Sequence, residues 1–236
     1  MWATDTTDPE NQRRGITLLS NAPWGGSDEY VKLYRLYLEE NTDPLVKAIS
    51  IRALGRFGDA SDAVMIAEQL DSEYIQVRLE AAKALQRLHN TEVVDAIWIH
   101  MVNPDENEDV RVELAIALAQ YPRDDVFQAL ATALDDRMLA LNLAALDSMR
   151  ILTGRDFGLD RALWLSWYDS TESPFLDESM FLYPTFKRTV AWYERLMFWD
   201  PVVFESPGAP KGMDEKGLKK TYDDGDKAYE NIGDGQ

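Results

Sequence analysis

The sequence predicts an all-α protein, an α-solenoid of about four two-helix repeats with a helical cap at each end and a disordered C-terminal tail. Three observations carry this. An apolar–cation pair followed seven residues later by an apolar residue recurs as Val46-Lys47 with Leu54, Val77-Arg78 with Leu85, and Val110-Arg111 with Leu118, and in weakened form as Leu141-Asn142 with Met149. The intervals between units are 31, 33 and 31 residues, and a fixed period in this range marks stacked supersecondary units. Helix start and stop residues fall between the apolar stretches at matching places.

In chain order, Asp8 and Pro9 open a capping helix over 9–20, since proline at the first helical position loses no hydrogen bond. Asn11, Arg13 and Arg14 are placed on its exposed side. Trp24-Gly25-Gly26 forms a turn. The first repeat has a first helix over 27–40 and a second over 44–57, with Asp43 as N-cap and Pro44 behind it. Gly55 and Gly58 are placed at its end, where a left-handed cap is expected.

The second repeat spans 60–71 and 73–89, with Asp59 or Ser61 capping its start. Ile75, Val77, Leu79, Ala81, Ala82, Leu85 and Leu88 lie at helical spacing on one face. Alanines on that face permit close helix approach. The third repeat spans 91–102 and 109–121, with an inserted loop at 103–108 that accounts for the longer interval. The fourth spans 123–134 and 137–152, closed by Thr153-Gly154. None of these units can bury its apolar face alone, so stacking is required.

The pattern Asp-Pro-x-Val-Lys followed by Ala-Leu-Gly, at Asp43 to Gly55, resembles the bacterial HEAT repeat, also called the phycobilisome-lyase-like HEAT repeat. Val77-Arg78 with Ala81-Ala82 and Val110-Arg111 with Ala115 match it, and Asn142 departs from it. The resemblance covers residues 28–152. It implies a solenoid whose second helices line a concave binding side, and it brings in one enzymatic alternative, a lyase or chaperone-like subunit with a tetrapyrrole-sized apolar groove.

Beyond the repeats, Thr153 to Gly158 leads into a helix over 160–168 carrying Leu163, Trp164, Trp167 and Tyr168. Asp156-Phe157-Gly158 lacks the glycine-rich loop, strand lysine and catalytic loop that would make it a kinase motif. An aromatic-rich stretch follows, with a helix expected over 184–199 that holds Lys187, Arg188, Trp192, Arg195 and Trp199. It is either a C-terminal cap on the solenoid or a docking surface for a protein or a membrane interface. The chain therefore divides into a cap at 1–26, repeats at 27–154, an aromatic cap at 155–204 and an acidic tail at 205–236.

Charge limits function. With 24 Lys plus Arg against 42 Asp plus Glu, the net charge of -18 repels phosphate backbones, so nucleic acid is not an expected partner. There is no cysteine, which removes disulfides, thiolate metal sites and cysteine nucleophiles. His89 and His100 are the only histidines, and neither is followed by Glu as in the iron-binding pairs of HEAT-type hydroxylases. No phosphate-binding or nucleophile-elbow motif occurs. The sequence shows no signal peptide and no apolar stretch of spanning length, so the chain as given reads as cytoplasmic with its compartment left open. A monomer is expected.

The expected function is non-catalytic protein–protein interaction, without metal or cofactor. Candidate partner-binding residues are Lys47, Arg78, Arg111, Trp192 and Trp199. The three cations occupy equivalent repeat positions. They form either a ladder paired with acids such as Asp43, Asp71 and Asp109, or a cationic strip for an acidic peptide.

Overall fold

The computed structural model describes residues 8–22, 24–184 and 207–213, and the backbone at 219–220. Beyond Pro184, the helix expected over 184–199 lies outside them, and with it Trp192 and Trp199. The described residues are predominantly helical: α1 (Pro9–Asn21), α2 (Asp28–Glu40), α3 (Pro44–Phe57), α4 (Asp62–Ala67), α5 (Ile75–Leu85), α6 (Val94–Val102), α7 (Glu108–Leu118), α8 (Asp124–Ala133), α9 (Leu139–Thr153) and α10 (Arg161–Ser170). Short 3-10 turns at Glu68–Asp71 and Thr91–Val93 extend α4 and precede α6. A two-residue strand, β1 (Ser179–Met180), pairs in parallel with β2 (Lys219–Lys220). Among the described residues no helix is long and apolar enough to cross a membrane.

Caps set the helix boundaries. Asp8 accepts from the Glu10 amide, Asp43 from Leu45 and Val46, Asn107 from Asp109 and Val110, and Asp160 from Leu163. Each satisfies an amide that the first turn leaves without a partner. Helix α4 starts differently. Ser61 makes no capping bond there, and Asp59 accepts from the Ser61 amide and hydroxyl just ahead of the helix.

The described residues form two compact units. The first draws on Met1–Val93 and Tyr183–Gly212. Within it α3 packs against α1, α2 and α5, and α5 also packs against α4. Ile16, Tyr34, Val46, Ile51, Leu54, Ile66 and Leu85 are fully buried at its core. Ile75, expected on the apolar face of α5, is instead 44% exposed at the first position of the helix.

Gly55 corrects the expected left-handed cap. It lies inside α3, where an added Cβ would sit 2.8 Å from the Ala84 Cβ. Its role is close approach of α3 to α5. Gly58, at the helix end, has an ordinary φ of −62° rather than a left-handed one, but an added Cβ would lie 2.6 Å from the Leu54 carbonyl oxygen and 2.5 Å from Asp62 Oδ2.

The second unit draws on Val94–Leu182 and Met213–Gln236. Here α6 pairs with α7 and α8 with α9, while α7 packs on α9 and α6 on α8. Helix α10 lies on α8, with Trp164 fully buried and edge-on to Phe157 at 4.9 Å between ring centroids. The Trp164 indole N–H donates to the Gly158 carbonyl at 2.8 Å, so this aromatic is buried with its polar atom satisfied.

Residues 207–213 differ from the expected loose tail. Pro210 is buried, and Lys211 pairs through its backbone with Arg87 and His89 in the first unit.

Candidate functional site

The repeated cation position can be followed through both units. Each occurrence lies one turn inside a second helix, facing the connection from the helix before it. Arg78 on α5 is half-buried and donates from Nη1 to the Ser72 carbonyl at 2.7 Å. Arg111 on α7 is 6% exposed; its Nε donates to the Met101 carbonyl at 2.9 Å and its Nη2 to Asp136 Oδ2 at 2.7 Å. Asn142 on α9 is likewise 6% exposed, and its amide donates to the carbonyls of Ala133, Leu134 and Asp136 at 3.0, 2.6 and 3.0 Å.

A single physical task unites the three. The last carbonyls of the first helix and its turn have no helical partner and are partly buried, so a donor must reach them. Arginine and asparagine both supply N–H groups at this spot. The sequence marked Asn142 as a departure from the repeat, yet it performs this same task with a shorter side chain.

Arg111 turns into the second unit and pairs with an acid, but not the one expected. Asp109 sits in the first turn of α7, with its amide on Asn107. The acid on Arg111 is Asp136, in the connection between α8 and α9. Burial opposes the Asp136 charge, but the Arg111 bond and the Met138 amide outweigh it and hold the carboxyl below the usual range.

Sequence reading missed a second ion pair of this kind. Arg35 on α2 donates from Nη2 to Asp59 at 3.0 Å and to Asp62 at 2.9 Å, while its Nε also meets Asp62, which is 3% exposed. Asp59 lies below the usual carboxylate range, first through the Ser61 hydroxyl bond and further through Arg35. In the second unit Arg123 meets Asp95 at 2.8 Å and also Asp125. Only the spacing of Arg35 from Asp59 and Asp62 and of Arg123 from Asp95, about one repeat, signals these pairs in the sequence; Asp125 is two residues from Arg123.

Lys47 stands apart from Arg111. It is half-buried and lines an open groove of about 560 Å³ in the first unit, at the α2–α3 connection and the turn before α5. Glu39, Glu40, Glu68, Asp71 and Glu73 line the same groove, with Tyr74 and Val77 at its wall. Tyr74 is 44% exposed, and the adjacent Glu73 carboxylate pushes its phenol above the usual range. One ammonium among five carboxylates leaves the groove net negative. Lys47 thus faces a solvent groove in the first unit, and Arg111 is enclosed in the second.

The histidines occupy ordinary positions. His100 Nδ1 stands 3.6 Å from Glu106, and the His89 amide donates to the Lys211 carbonyl. Among the described residues no group of three or more His, Asp or Glu side chains is arranged to hold a metal ion.

No known protein family matches the chain, and no curated protein matches it.

Proposed function

We propose that this protein is a non-catalytic scaffold, a HEAT-like solenoid that binds a protein partner through preformed surface. The observation that supports it is a set of polar ties at repeat spacing. Arg35–Asp62, Asn90–Ala60, Arg111–Asp136, Arg123–Asp95 and Ser148–Ala115 join residues separated by 25 to 33 positions. These separations approach the 31-to-33-residue period of the sequence. They accompany the packing of second helix on second helix, α3 on α5 and α7 on α9, within each unit. Such ties fix neighbouring helices before a partner arrives, so little ordering entropy is lost on binding.

The acidic groove around Lys47 is the surface that best suits a partner. Its field attracts cationic segments and repels acidic ones, the opposite preference to the cationic strip that was one of the two sequence readings. Tyr74 adds an amphipathic ring at its wall, a residue type that interfaces favour.

The test is a charge reversal. The chain carrying Glu39→Lys, Glu40→Lys and Glu73→Lys together is compared with the unaltered chain for binding to an immobilised Lys-rich peptide. At low salt the unaltered chain binds and the variant loses binding by at least about tenfold, with the difference shrinking as salt rises. Equal binding by both would remove the groove from the proposal. The lyase alternative is tested separately by the absorbance of a bilin mixed with the protein; the acidic lining of this groove does not favour it.

A further inference from the structure

In the first unit, at the ends of α3 and α5, the chain receives its own residues 207–212. Leu88 and Lys211 form a parallel bridge: the His89 amide donates to the Lys211 carbonyl, and the Lys211 amide to the Arg87 carbonyl, both at 2.8 Å. The Lys211 ammonium reaches the Gly58 carbonyl at 2.7 Å and the Arg56 carbonyl at 3.2 Å. These are carbonyls at the C-terminal end of α3, where the helix dipole favours a cation. Loss of hydration draws the ammonium below the usual lysine range, while Asp59 and Asp62 pull it back.

The positions on either side of Lys211 are equally constrained. Pro210 is buried. Gly212 has φ +93°, and a Cβ there would lie 2.6 Å from the Ala60 Cβ and 2.7 Å from the His89 carbonyl oxygen. Upstream, the Tyr183 amide donates to the Gly208 carbonyl at 2.9 Å, and the Arg87 guanidinium lies 4.6 Å over the Tyr183 ring. Backbone pairing supplies adhesion. The carbonyl pair at the α3 end selects a cation, and the crowding by Ala60 and His89 selects glycine. This combination is how strand-addition sites read peptides.

We propose that the ends of α3 and α5 form a docking site for an extended peptide with a Pro-Lys-Gly core, filled in cis by residues 207–212 of this chain. The site is independent of the acidic groove and does not rest on the scaffold reading. A contact this small, with Lys211 still exposed as a residue, opens at a fraction of the cost of global unfolding. Tethering raises the local concentration of the cis segment to about the millimolar range, so a free peptide competes poorly while the cis segment is in place.

The experiment uses the full chain with Gly212→Val, which ejects the cis segment, and a fluorescent peptide Ser-Pro-Gly-Ala-Pro-Lys-Gly-Met. The peptide binds the variant at least about tenfold tighter than the unaltered chain, and replacing its lysine by alanine weakens binding by roughly tenfold or more. Equal affinity for the two chains, no binding to the variant, or indifference to the lysine would overturn the site. If Gly212→Val fails to fold by circular dichroism, Lys211→Ala decides the matter through hydrogen exchange. There the His89 amide exchanges at least about tenfold faster than in the unaltered chain, and an unchanged rate refutes the docking.

Discussion

Lys47 in the first unit and Arg111 in the second occupy the same place in the repeat and do different work. Arg111 is enclosed, with its guanidinium divided between the Met101 carbonyl and Asp136. Lys47 borders an open groove with five carboxylates around it. The difference follows from what each side chain can reach. A planar guanidinium with a fork of donors can satisfy a carbonyl and a carboxylate at once, whereas an ammonium is a compact, strongly hydrated point charge that stays near water. A repeat position therefore specifies a direction, and the residue placed there decides between an internal tie and a surface charge.

Arg111→Met should have the largest effect. It leaves the Met101 carbonyl and a largely buried Asp136 without their cation, and should cost about 3 kcal/mol in stability, read by thermal unfolding followed by circular dichroism. A loss below about 0.5 kcal/mol would place Arg111 with the surface cations after all. Gly55→Val follows, at about 2 kcal/mol, because its Cβ must displace Ala84 and force α3 away from α5. Urea denaturation compared with Gly55→Ala would show a graded loss. A neutral Gly55→Val would mean that the α3–α5 contact is loose.

Acid should separate the two positions further. The Asp136 carboxyl is held below its ordinary value in the folded state, so it contributes stability above the unfolded pKa, and that contribution is lost as pH falls through the depressed folded pKa. Asp136→Asn should flatten this part of the stability profile below about pH 4, measured by urea midpoints across pH. An unchanged slope would show that Arg111 does not sense this acid. Lys47→Met should have the smallest effect, within about 0.5 kcal/mol of the unaltered chain, while making the groove more negative and strengthening its binding to a Lys-rich peptide.

The helical elements were legible because their signals are local. Asp43 before Pro44, Asp160 before α10 and the glycine closing α9 act within a few residues, and the chain adopts the caps they specify. Of the three cations that the fixed spacing picked out, Lys47 lines the groove, whereas Arg78 and Arg111 serve carbonyls elsewhere. Their partners were not legible. Asp136 lies 25 residues from Arg111, and nothing in the spacing distinguishes it from Asp109, which is closer in sequence but committed to the first turn of α7.

Among the described residues the helices and their order follow from the sequence alone, because caps and periodic apolar faces are properties of short stretches of chain. Tertiary structure decided which carbonyl each cation serves, why Gly55 must be small and where Lys211 comes to rest. Those outcomes depend on which distant groups are left buried without a partner, and only packing brings them within reach of one another.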